Sequence, residues 1–169
     1  MKFFEIEQKY RLKDPQATRG ILRKLGAKKI AAGIERNEFF DRNDFFKKQK
    51  VALRLRRFGK KQATLTLKGP RIKAKFTKRR EIETTVDYAA AKALLEFLGC
   101  QIRRQYTKER EMYKLDGALI TVDHLSGFGW FLEIEAPPKK IVHWAQKIGL
   151  RESDREERSY LQMLFGWKH

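Results

Sequence analysis

The amino-acid sequence predicts an α+β fold in which about eight strands are joined mainly as antiparallel hairpins. Eight segments alternate apolar and polar side chains with the two-residue period of a strand. Short links that contain glycine, such as Asp116-Gly117, separate several of these segments, and links of this length favour antiparallel neighbours. Segments with a helical period also occur, and their apolar stripes need a surface to cover.

The strands are taken in chain order from the alternation of their side chains. The predicted strands are Phe3–Leu12, Lys28–Asp41, Val51–Phe58, Gln62–Lys68, Arg79–Val86, Ile102–Leu115, Ala118–Leu125 and Trp130–Ala136. Two intervening segments of basic composition, Asn43–Lys50 and Pro70–Lys78, are predicted to be loops. The sequence therefore predicts a β-rich chain with two basic loops on its surface.

Four helices are predicted from their start and stop signals. Asp14-Pro15 supplies the start of the first helix and Gly26 its end, and Gly99 ends the second. The predicted helices are Gln16–Leu25, Asp87–Leu98, Lys139–Ile148 and Asp154–Phe165. Apolar stripes on three of them predict that the helices pack on the apolar face of the sheet.

Composition limits the class of protein. A chain of 169 residues with 41% hydrophobic residues is sized for one domain with a core of its own. The net charge of +18 predicts a polyanionic partner: a small polyphosphate, nucleic acid or an anionic membrane surface. Cys100 is the one cysteine, and the three histidines are scattered, which argues against a disulfide or a zinc site. With no signal-length or membrane-spanning apolar run, we expect a cytoplasmic protein without a membrane partner.

Strand parity separates the charged side chains from the apolar ones. Alternate residues of a strand point to opposite faces. The charged or polar faces are Glu5, Glu7 and Lys9; Arg54 and Arg56; Thr64, Thr66 and Lys68; Glu81 and Glu83; Thr121 and Asp123; and Glu133 and Glu135. In any single strand, this alternation is equally expected of an ordinary antiparallel sheet whose charged face contacts solvent. Three observations together favour a closed sheet with helices outside and charges lining its lumen. The acids occur as three E-x-E pairs, the cations of a strand share one face, and the helices carry apolar stripes that need a surface to pack on.

A charged lumen of this kind implies a particular ligand chemistry. Buried carboxylates and cations are costly unless bound ions or opposite charges compensate them. Mg²⁺ or Mn²⁺ would bind carboxylate and phosphate oxygens together, while Arg and Lys would bind the remaining phosphate oxygens. The lumen is therefore the expected active site, and a triphosphate with a divalent metal is its expected ligand.

An ordered set of motifs resembles one known superfamily. The motifs are Glu5-Ile6-Glu7-Gln8-Lys9, Phe39-Phe40-Asp41, Leu53-Arg54-Leu55-Arg56, Leu67-Lys68-Gly69-Pro70, Glu81-Ile82-Glu83, Lys108-Glu109-Arg110, Ile120-Thr121-Val122-Asp123-His124, Glu133-Ile134-Glu135 and the tail Arg158-Ser159-Tyr160. The set resembles the CYTH superfamily, the triphosphate tunnel metalloenzymes, over nearly the whole chain. Segment 120–129 and the tail look most like class IV adenylyl cyclase.

The resemblance implies an α+β fold with an eight-stranded antiparallel closed β-barrel, as a single CYTH-like domain over residues 1–169. The implied metal ligands are Glu5, Glu7, Glu83, Asp123, Glu133 and Glu135, for Mg²⁺ or Mn²⁺. The implied triphosphate ligands are Lys9, Arg54, Arg56, Lys68, Lys108 and Arg110. Glu7, Glu133 and Lys9 are the candidate catalytic residues, with phosphate binding the favoured role for Lys9.

Several alternatives stay open at this point. A cyclase-like enzyme would convert ATP to cyclic AMP and pyrophosphate. Glu135 is more typical of the triphosphatase members, whose substrates would be tripolyphosphate, thiamine triphosphate or a nucleoside triphosphate. A nucleic-acid-binding barrel, a non-catalytic polyphosphate sensor and a homodimer are further possibilities. A structural role is favoured for His124, and core packing for Phe128, Trp130 and Phe131 over stacking on a base.

Overall fold

The computed structural model describes residues 4–59 and 62–166, and it contains a closed barrel of eight antiparallel strands. The strands are β1 Phe4–Leu12, β2 Lys28–Asp41, β3 Ala52–Phe58, β4 Gln62–Ile72, β5 Thr77–Val86, β6 Gln101–Leu115, β7 Ala118–Leu125 and β8 Gly129–Glu135. Around the barrel their order is β1-β5-β4-β3-β2-β6-β7-β8. The predicted α+β barrel is confirmed, while Phe3 lies outside the described residues.

Five α-helices and one 3-10 turn accompany the barrel in the described part of the chain. They are α1 Pro15–Lys24, α2 Phe45–Lys48, α3 Tyr88–Phe97, α4 Pro138–Ile148, the 3-10 turn Glu152–Asp154, and α5 Tyr160–Phe165. The N-caps follow the predicted chemistry, since Asp14 accepts the Ala17 amide of α1 and Asp87 accepts the Ala90 amide of α3. No described helix has the length and apolar character needed to cross a bilayer.

The helices cover the apolar outer face of the barrel. Ile120 and Val122 of β7 and Leu132 and Ile134 of β8 are completely buried, in one apolar cluster with Leu22 of α1. Removing each such side chain from water contributes roughly 1.5–3 kcal/mol. Because these residues alternate with polar ones, burying them under helices turns the polar set toward the barrel interior. The prediction that the apolar side chains of these strands pack under helices while the alternating polar side chains face the lumen is therefore confirmed.

The predicted helix Asp154–Phe165 is wrong over its first half. Arg155 forms a bridge with Tyr10, and the Glu156 amide donates to the Lys9 carbonyl at 3.0 Å, so this stretch runs as extended chain along β1. The helix begins only after Ser159, which forms a capping box. Backbone pairing with β1 outweighed the helical period of the side chains.

The two predicted loops are also shorter than expected. β4 continues through Pro70 to Ile72, with a register shift between Lys68 and Arg71 that accommodates a proline lacking an amide donor. Residues 45–48 form helix α2, and the buried carboxylate of Asp41 accepts three backbone amides from this segment and its approach. Both segments thus belong to the ordered scaffold around the barrel.

Candidate active site

The charged faces of the strands meet in a cavity of about 430 Å³ inside the barrel, to which all eight strands contribute. The ionisable residues that line it include Glu5, Glu7, Lys9, Arg54, Arg56, Lys68, Arg79, Glu81, Glu83, Lys108, Arg110, Glu133 and Glu135. The expectation that these rows converge on an enclosed space is confirmed. Every sequence-predicted site residue except Asp123 borders the cavity directly, and Asp123 contacts three residues that do, Lys108, Arg110 and Tyr160.

The charges of the lumen nearly cancel. Seven Lys and Arg side chains and six Glu side chains line the cavity, and the buried Glu35 and Asp123 pair with Lys108 and Arg110. Seven cations therefore face eight carboxylates. The whole chain has 39 Lys and Arg and 21 Asp and Glu, which leaves 32 cations and 13 acids elsewhere. The +18 excess thus resides outside the lumen.

One wall of the lumen is acidic and lies on β1 and β8. Their register places Glu7 opposite Glu135 and Lys9 opposite Glu133. The cations of β3, including Arg54, lie across the barrel, because two strands separate β3 from β1 and three separate it from β8. A ligand in the lumen would therefore contact carboxylates on one side and guanidinium groups on the other.

Glu7 is less compensated by nearby cations than Glu5 and Glu133 of this wall. Its described ion pair is a long one, 3.5 Å from Arg79. Burial, with Glu5 and Glu133 nearby, raises the pKa of Glu7 to about 7. Burial also acts to raise the pKa of Glu5, but Lys68 at 2.9 Å and Arg79 at 3.2 Å hold it well below its ordinary value. Negative charge is thus in local excess around Glu7.

The acidic wall fits a hard divalent cation by its chemistry. Glu5, Glu7, Glu133 and Glu135 offer only carboxylate oxygens, the donors that Mg²⁺ and Mn²⁺ favour, and a cation would relieve the charge excess around Glu7. Within residues 4–59 and 62–166, no three acidic, histidine or cysteine side chains are grouped as a ready metal site. Glu5, Glu7 and Glu133 instead contact Lys and Arg, so metal binding requires some of these ion pairs to open.

The deepest cluster surrounds Asp123, which is fully buried. Lys108 donates to it at 2.9 Å, Arg110 donates two bonds at 2.7 and 2.6 Å, and the Tyr160 hydroxyl donates at 2.8 Å. Burial opposes the charge of Arg110, but Asp123 and Glu35 raise its pKa well above the ordinary value. With both oxygens occupied, Asp123 is better suited to positioning the two cations than to binding a metal.

The cations of β3 and β4 differ in how fully their donors are paired. Arg56 contacts Glu83 at 3.0 Å, and Lys68 lies between Glu5 and Glu81. Arg54 is buried, and its Nε has no acceptor among the described residues. A buried donor without an acceptor is unfavourable, and an anionic oxygen in the lumen would satisfy it.

The C-terminal segment contributes residues to the wall of the lumen. Ser159, Tyr160 and Leu161 line the cavity, and the Tyr160 ring lies 3.7 Å from Lys9 Nζ and 4.2 Å from Lys108 Nζ. Lys9 Nζ also donates to the Arg158 carbonyl at 3.0 Å. Burial, opposed by Glu133 and Glu7, lowers the pKa of Lys9. Two candidate phosphate ligands are therefore held by a segment distant in sequence.

Sequence reasoning missed several residues of the site. The sequence pattern indicates Arg79 only as the start of a strand, and it indicates no role in the lumen for Glu35, Tyr106 or Tyr160. For Arg79, its parity with Glu81 was an available signal. The cluster of Phe128, Trp130 and Phe131 does not line the cavity, and His124 stacks on Trp130 with ring centroids 4.6 Å apart.

Comparison with known proteins agrees with this geometry. The model of the CYTH domain family matches residues 4–160. A "Putative adenylate cyclase MJ0240" of Methanocaldococcus jannaschii is 31% identical over 133 residues, which cover 78% of this chain and 75% of that protein.

Solved structures give the same picture of the fold. A "putative adenylate cyclase" from Vibrio parahaemolyticus superposes with a TM-score of 0.88 at 27% identity, covering 97% of this chain and 99% of that one. A protein from Hippeastrum, described as an adenylyl cyclase candidate that "reveals a dominant triphophatase activity", superposes with a TM-score of 0.75 at 19% identity, covering 98% and 97% of the two chains. The Hippeastrum likeness concerns the fold alone. With the family model matching most of its length, the chain belongs to the CYTH domain family.

Proposed function

We propose that this protein carries out divalent-metal-dependent chemistry on a triphosphate held in the barrel, with conversion of ATP to cyclic AMP and pyrophosphate as the favoured reaction. The observation that carries the proposal is the opposition of an acidic wall on β1 and β8 to guanidinium and ammonium groups on the other strands of one cavity. Phosphoryl and nucleotidyl transfer depend mainly on positioning and on neutralising oxygen charge. A lumen of fixed charges supplies both.

Binding would exchange the partners of existing ion pairs. Lys68 and Arg79 now contact Glu5, and Arg56 contacts Glu83. Phosphate oxygens would bind these cations, and the released carboxylates would coordinate the metal. Because every ion gains a new partner of opposite sign, the exchange avoids leaving a buried charge unpaired. Lys9, Arg54, Lys108 and Arg110 would complete the set of phosphate ligands.

The metal would be held by carboxylates of the acidic wall. Glu5, Glu7, Glu133 and Glu135 are the favoured ligands, and Glu83 is a candidate on the neighbouring wall. When bound, Mg²⁺ or Mn²⁺ supplies charge neutralisation on the phosphate oxygens and a lowered pKa for the attacking hydroxyl or water. Asp123, already bonded to Lys108, Arg110 and Tyr160, would act by fixing those cations.

In the favoured reaction the ribose 3′-hydroxyl attacks the α-phosphorus, a new P–O bond forms, and the bond to pyrophosphate breaks. Arg and Lys side chains of the lumen hold the triphosphate in line for this attack and bind the charge that develops on the leaving group. Lys9, buried between Glu133 and the Tyr160 ring, is positioned to bind a phosphate oxygen. The hydroxyl proton passes to a carboxylate of the acidic wall or to solvent.

Hydrolysis is the second candidate for the same residues. If water attacks the terminal phosphorus, the products are a diphosphate and orthophosphate, and the same cations neutralise the phosphate oxygens. Glu135 favours this reading, because a second acid on the last strand is more typical of triphosphatase relatives. The Hippeastrum protein, which has this fold, is described as having dominant triphosphatase activity. The substrate would then be tripolyphosphate, thiamine triphosphate or a nucleoside triphosphate.

Product analysis tests the proposal. The purified protein is incubated with ATP, tripolyphosphate or thiamine triphosphate, each with Mg²⁺ or Mn²⁺. We expect cyclic AMP with pyrophosphate from ATP; orthophosphate with the corresponding diphosphate, and no cyclic AMP, would identify a triphosphatase. Glu133→Gln removes a lumen carboxylate, and Glu109→Gln, whose side chain is 61% exposed, is the matched control.

No turnover of any triphosphate would overturn the enzymatic proposal. Retained tripolyphosphate binding in that case would identify a sensor. Salt-sensitive DNA or RNA binding that needs no metal and survives neutralisation of Glu5 and Glu7 would identify a nucleic-acid-binding barrel.

A further inference from the structure

Glu156 is a buried carboxylate that lies outside the lumen, in the extended stretch of residues 155–159 before α5, here named the C-terminal strap. Its side chain is 7% exposed and does not line the cavity. A buried charge is costly unless it is paired and hydrogen-bonded. The partners of Glu156 therefore indicate which parts of the molecule it holds in place.

The Glu156 carboxylate bonds to the strap and to β1 at once. Its Oε1 accepts the backbone amide of Arg158 at 3.1 Å and the Nε of the same residue at 2.8 Å. Its Oε2 accepts Nη2 of Arg158 at 2.7 Å and Nη2 of Arg11 on β1 at 2.6 Å. The Glu156 amide also donates to the Lys9 carbonyl at 3.0 Å. One residue thus ties the strap to β1 through both its main chain and its side chain.

The strap anchored in this way supplies the partners of the Lys9 ammonium. The Arg158 amide is bonded to Glu156, and the carbonyl of Arg158 accepts from Lys9 Nζ at 3.0 Å. The Tyr160 ring, directly after the strap, lies 3.7 Å from the same Nζ. Both partners are uncharged, and an ammonium has three donors. The positive charge of Lys9 therefore stays available to an anionic oxygen in the lumen.

We infer that Glu156 is a positioning residue for triphosphate binding, because it fixes the strap so that the Arg158 carbonyl keeps Lys9 from closing on Glu133. Lys9 Nζ lies 3.5 Å from Glu133, whereas Arg110 reaches the same carboxylate at 2.5 Å. Once the strap is released, Lys9 closes on Glu133 and its charge is neutralised within the protein. The inference rests on the proposed role of Lys9 as a phosphate ligand.

The sign of the effect separates positioning from simple electrostatics. Glu156→Gln removes one negative charge near a site for a polyanion, so the charge change alone predicts tighter binding of that anion. A purely structural role predicts a lower free energy of unfolding and an unchanged affinity in the folded protein. Positioning of Lys9 predicts weaker binding.

Calorimetric titration with tripolyphosphate, without added metal, measures the affinity apart from turnover. We expect Glu156→Gln to weaken binding about tenfold, because the Lys9 contact to phosphate is a charge-assisted bond. In a Lys9→Met background the same change should weaken it less than about twofold, because the two residues act as one unit. Glu157→Gln makes the same change at the exposed neighbouring residue and is the matched control, with no loss expected.

A crystal structure of ligand-free Glu156→Gln gives a second readout that needs no ligand. We expect Lys9 Nζ to leave the Arg158 carbonyl and to lie within hydrogen-bond distance of Glu133. If Glu156→Gln does not fold, Glu156→Asp, which keeps the charge but shortens the reach, takes its place in both measurements.

Three outcomes would overturn the inference. They are an affinity that stays the same or rises, an equal loss in the Lys9→Met background, and a Lys9 that remains on the Arg158 carbonyl. A wild-type chain that binds no tripolyphosphate would refute the proposed function instead. In that case the position of Lys9 in the variant crystal still decides whether Glu156 positions it.

Discussion

Replacing Asp123 by asparagine tests how the lumen holds its buried cations. The carboxylate is fully buried and accepts three bonds from Lys108 and Arg110 and one from Tyr160, all at 2.6–2.9 Å. Asparagine has nearly the same shape, but it removes the charge and substitutes an NH₂ donor for one acceptor oxygen. The change leaves two cations facing a neutral group in the interior.

The expected cost follows from this geometry. Hydrogen bonds to charged groups contribute roughly 1.5–3 kcal/mol each, and removing one partner of a buried ion pair costs about 3–5 kcal/mol. Glu35 also contacts both cations, and Glu133 contacts Arg110, which offsets part of the loss. We therefore expect Asp123→Asn to lower the free energy of unfolding by about 3 kcal/mol. For a chain of this size the melting temperature should fall by roughly 6–12 °C.

Urea unfolding with a matched control measures the effect. Asp116 forms a surface pair with Lys140, with side chains 68% and 40% exposed, and asparagine suits its positive φ of 43°. Asp116→Asn makes the same chemical change at the surface and should cost less than about 1 kcal/mol. If Asp123→Asn cost no more than Asp116→Asn, the proposed role of Asp123 in holding Lys108 and Arg110 would be refuted.

Three further predictions concern the site and its surroundings. Glu7→Gln should abolish turnover in Mg²⁺ or Mn²⁺ while the unfolding midpoint in urea stays close to that of the wild type; an active variant would remove Glu7 from the metal site. Arg56→Gln should weaken tripolyphosphate binding about 10–100-fold in calorimetry, because a charge-assisted bond is lost. Arg57→Gln, on the opposite face of β3, should leave the affinity unchanged, and equal losses would argue against lumen binding. Hydrogen bonds from Arg158 and Arg11 lower the pKa of Glu156 to about 2, so its contribution to stability is complete above about pH 5 and is lost as the pH falls toward 2. In acid titrations monitored by circular dichroism, Glu156→Gln should flatten this loss, and an unchanged acid transition would show that Glu156 does not drive it.

Strand parity was sufficient to predict the barrel and most of its lumen. Glu5, Lys68 and Glu133 lie far apart in sequence, yet each alternates with apolar residues that must be buried under helices. Once the outward apolar face is fixed, the direction of the charged face follows, because the side-chain period of a strand is two. The roles of individual residues as metal or triphosphate ligands were inferred from the order of the motifs along the whole chain. No local pattern could assign those roles.

Features made by contacts distant in sequence could not be predicted in this way. The stretch before Ser159 has a helical period, but its backbone pairs with β1, and local propensity does not report such pairing. Tyr160 lines the lumen because this extended segment, paired with β1, brings the start of α5 to the cavity. The role of Asp123 likewise depends on the partners that the fold brings to it, Lys108 and Arg110, and not on its own parity.

A crystal structure with a non-hydrolysable ATP analogue and Mn²⁺ tests the central claim most directly. Anomalous scattering locates Mn²⁺ independently of the phosphates. We expect Mn²⁺ on carboxylates among Glu5, Glu7, Glu133 and Glu135, and triphosphate oxygens on Arg54, Arg56 and Lys68 inside the barrel. Phosphates bound only to the basic exterior, with the ion pairs of the lumen intact, would contradict the account.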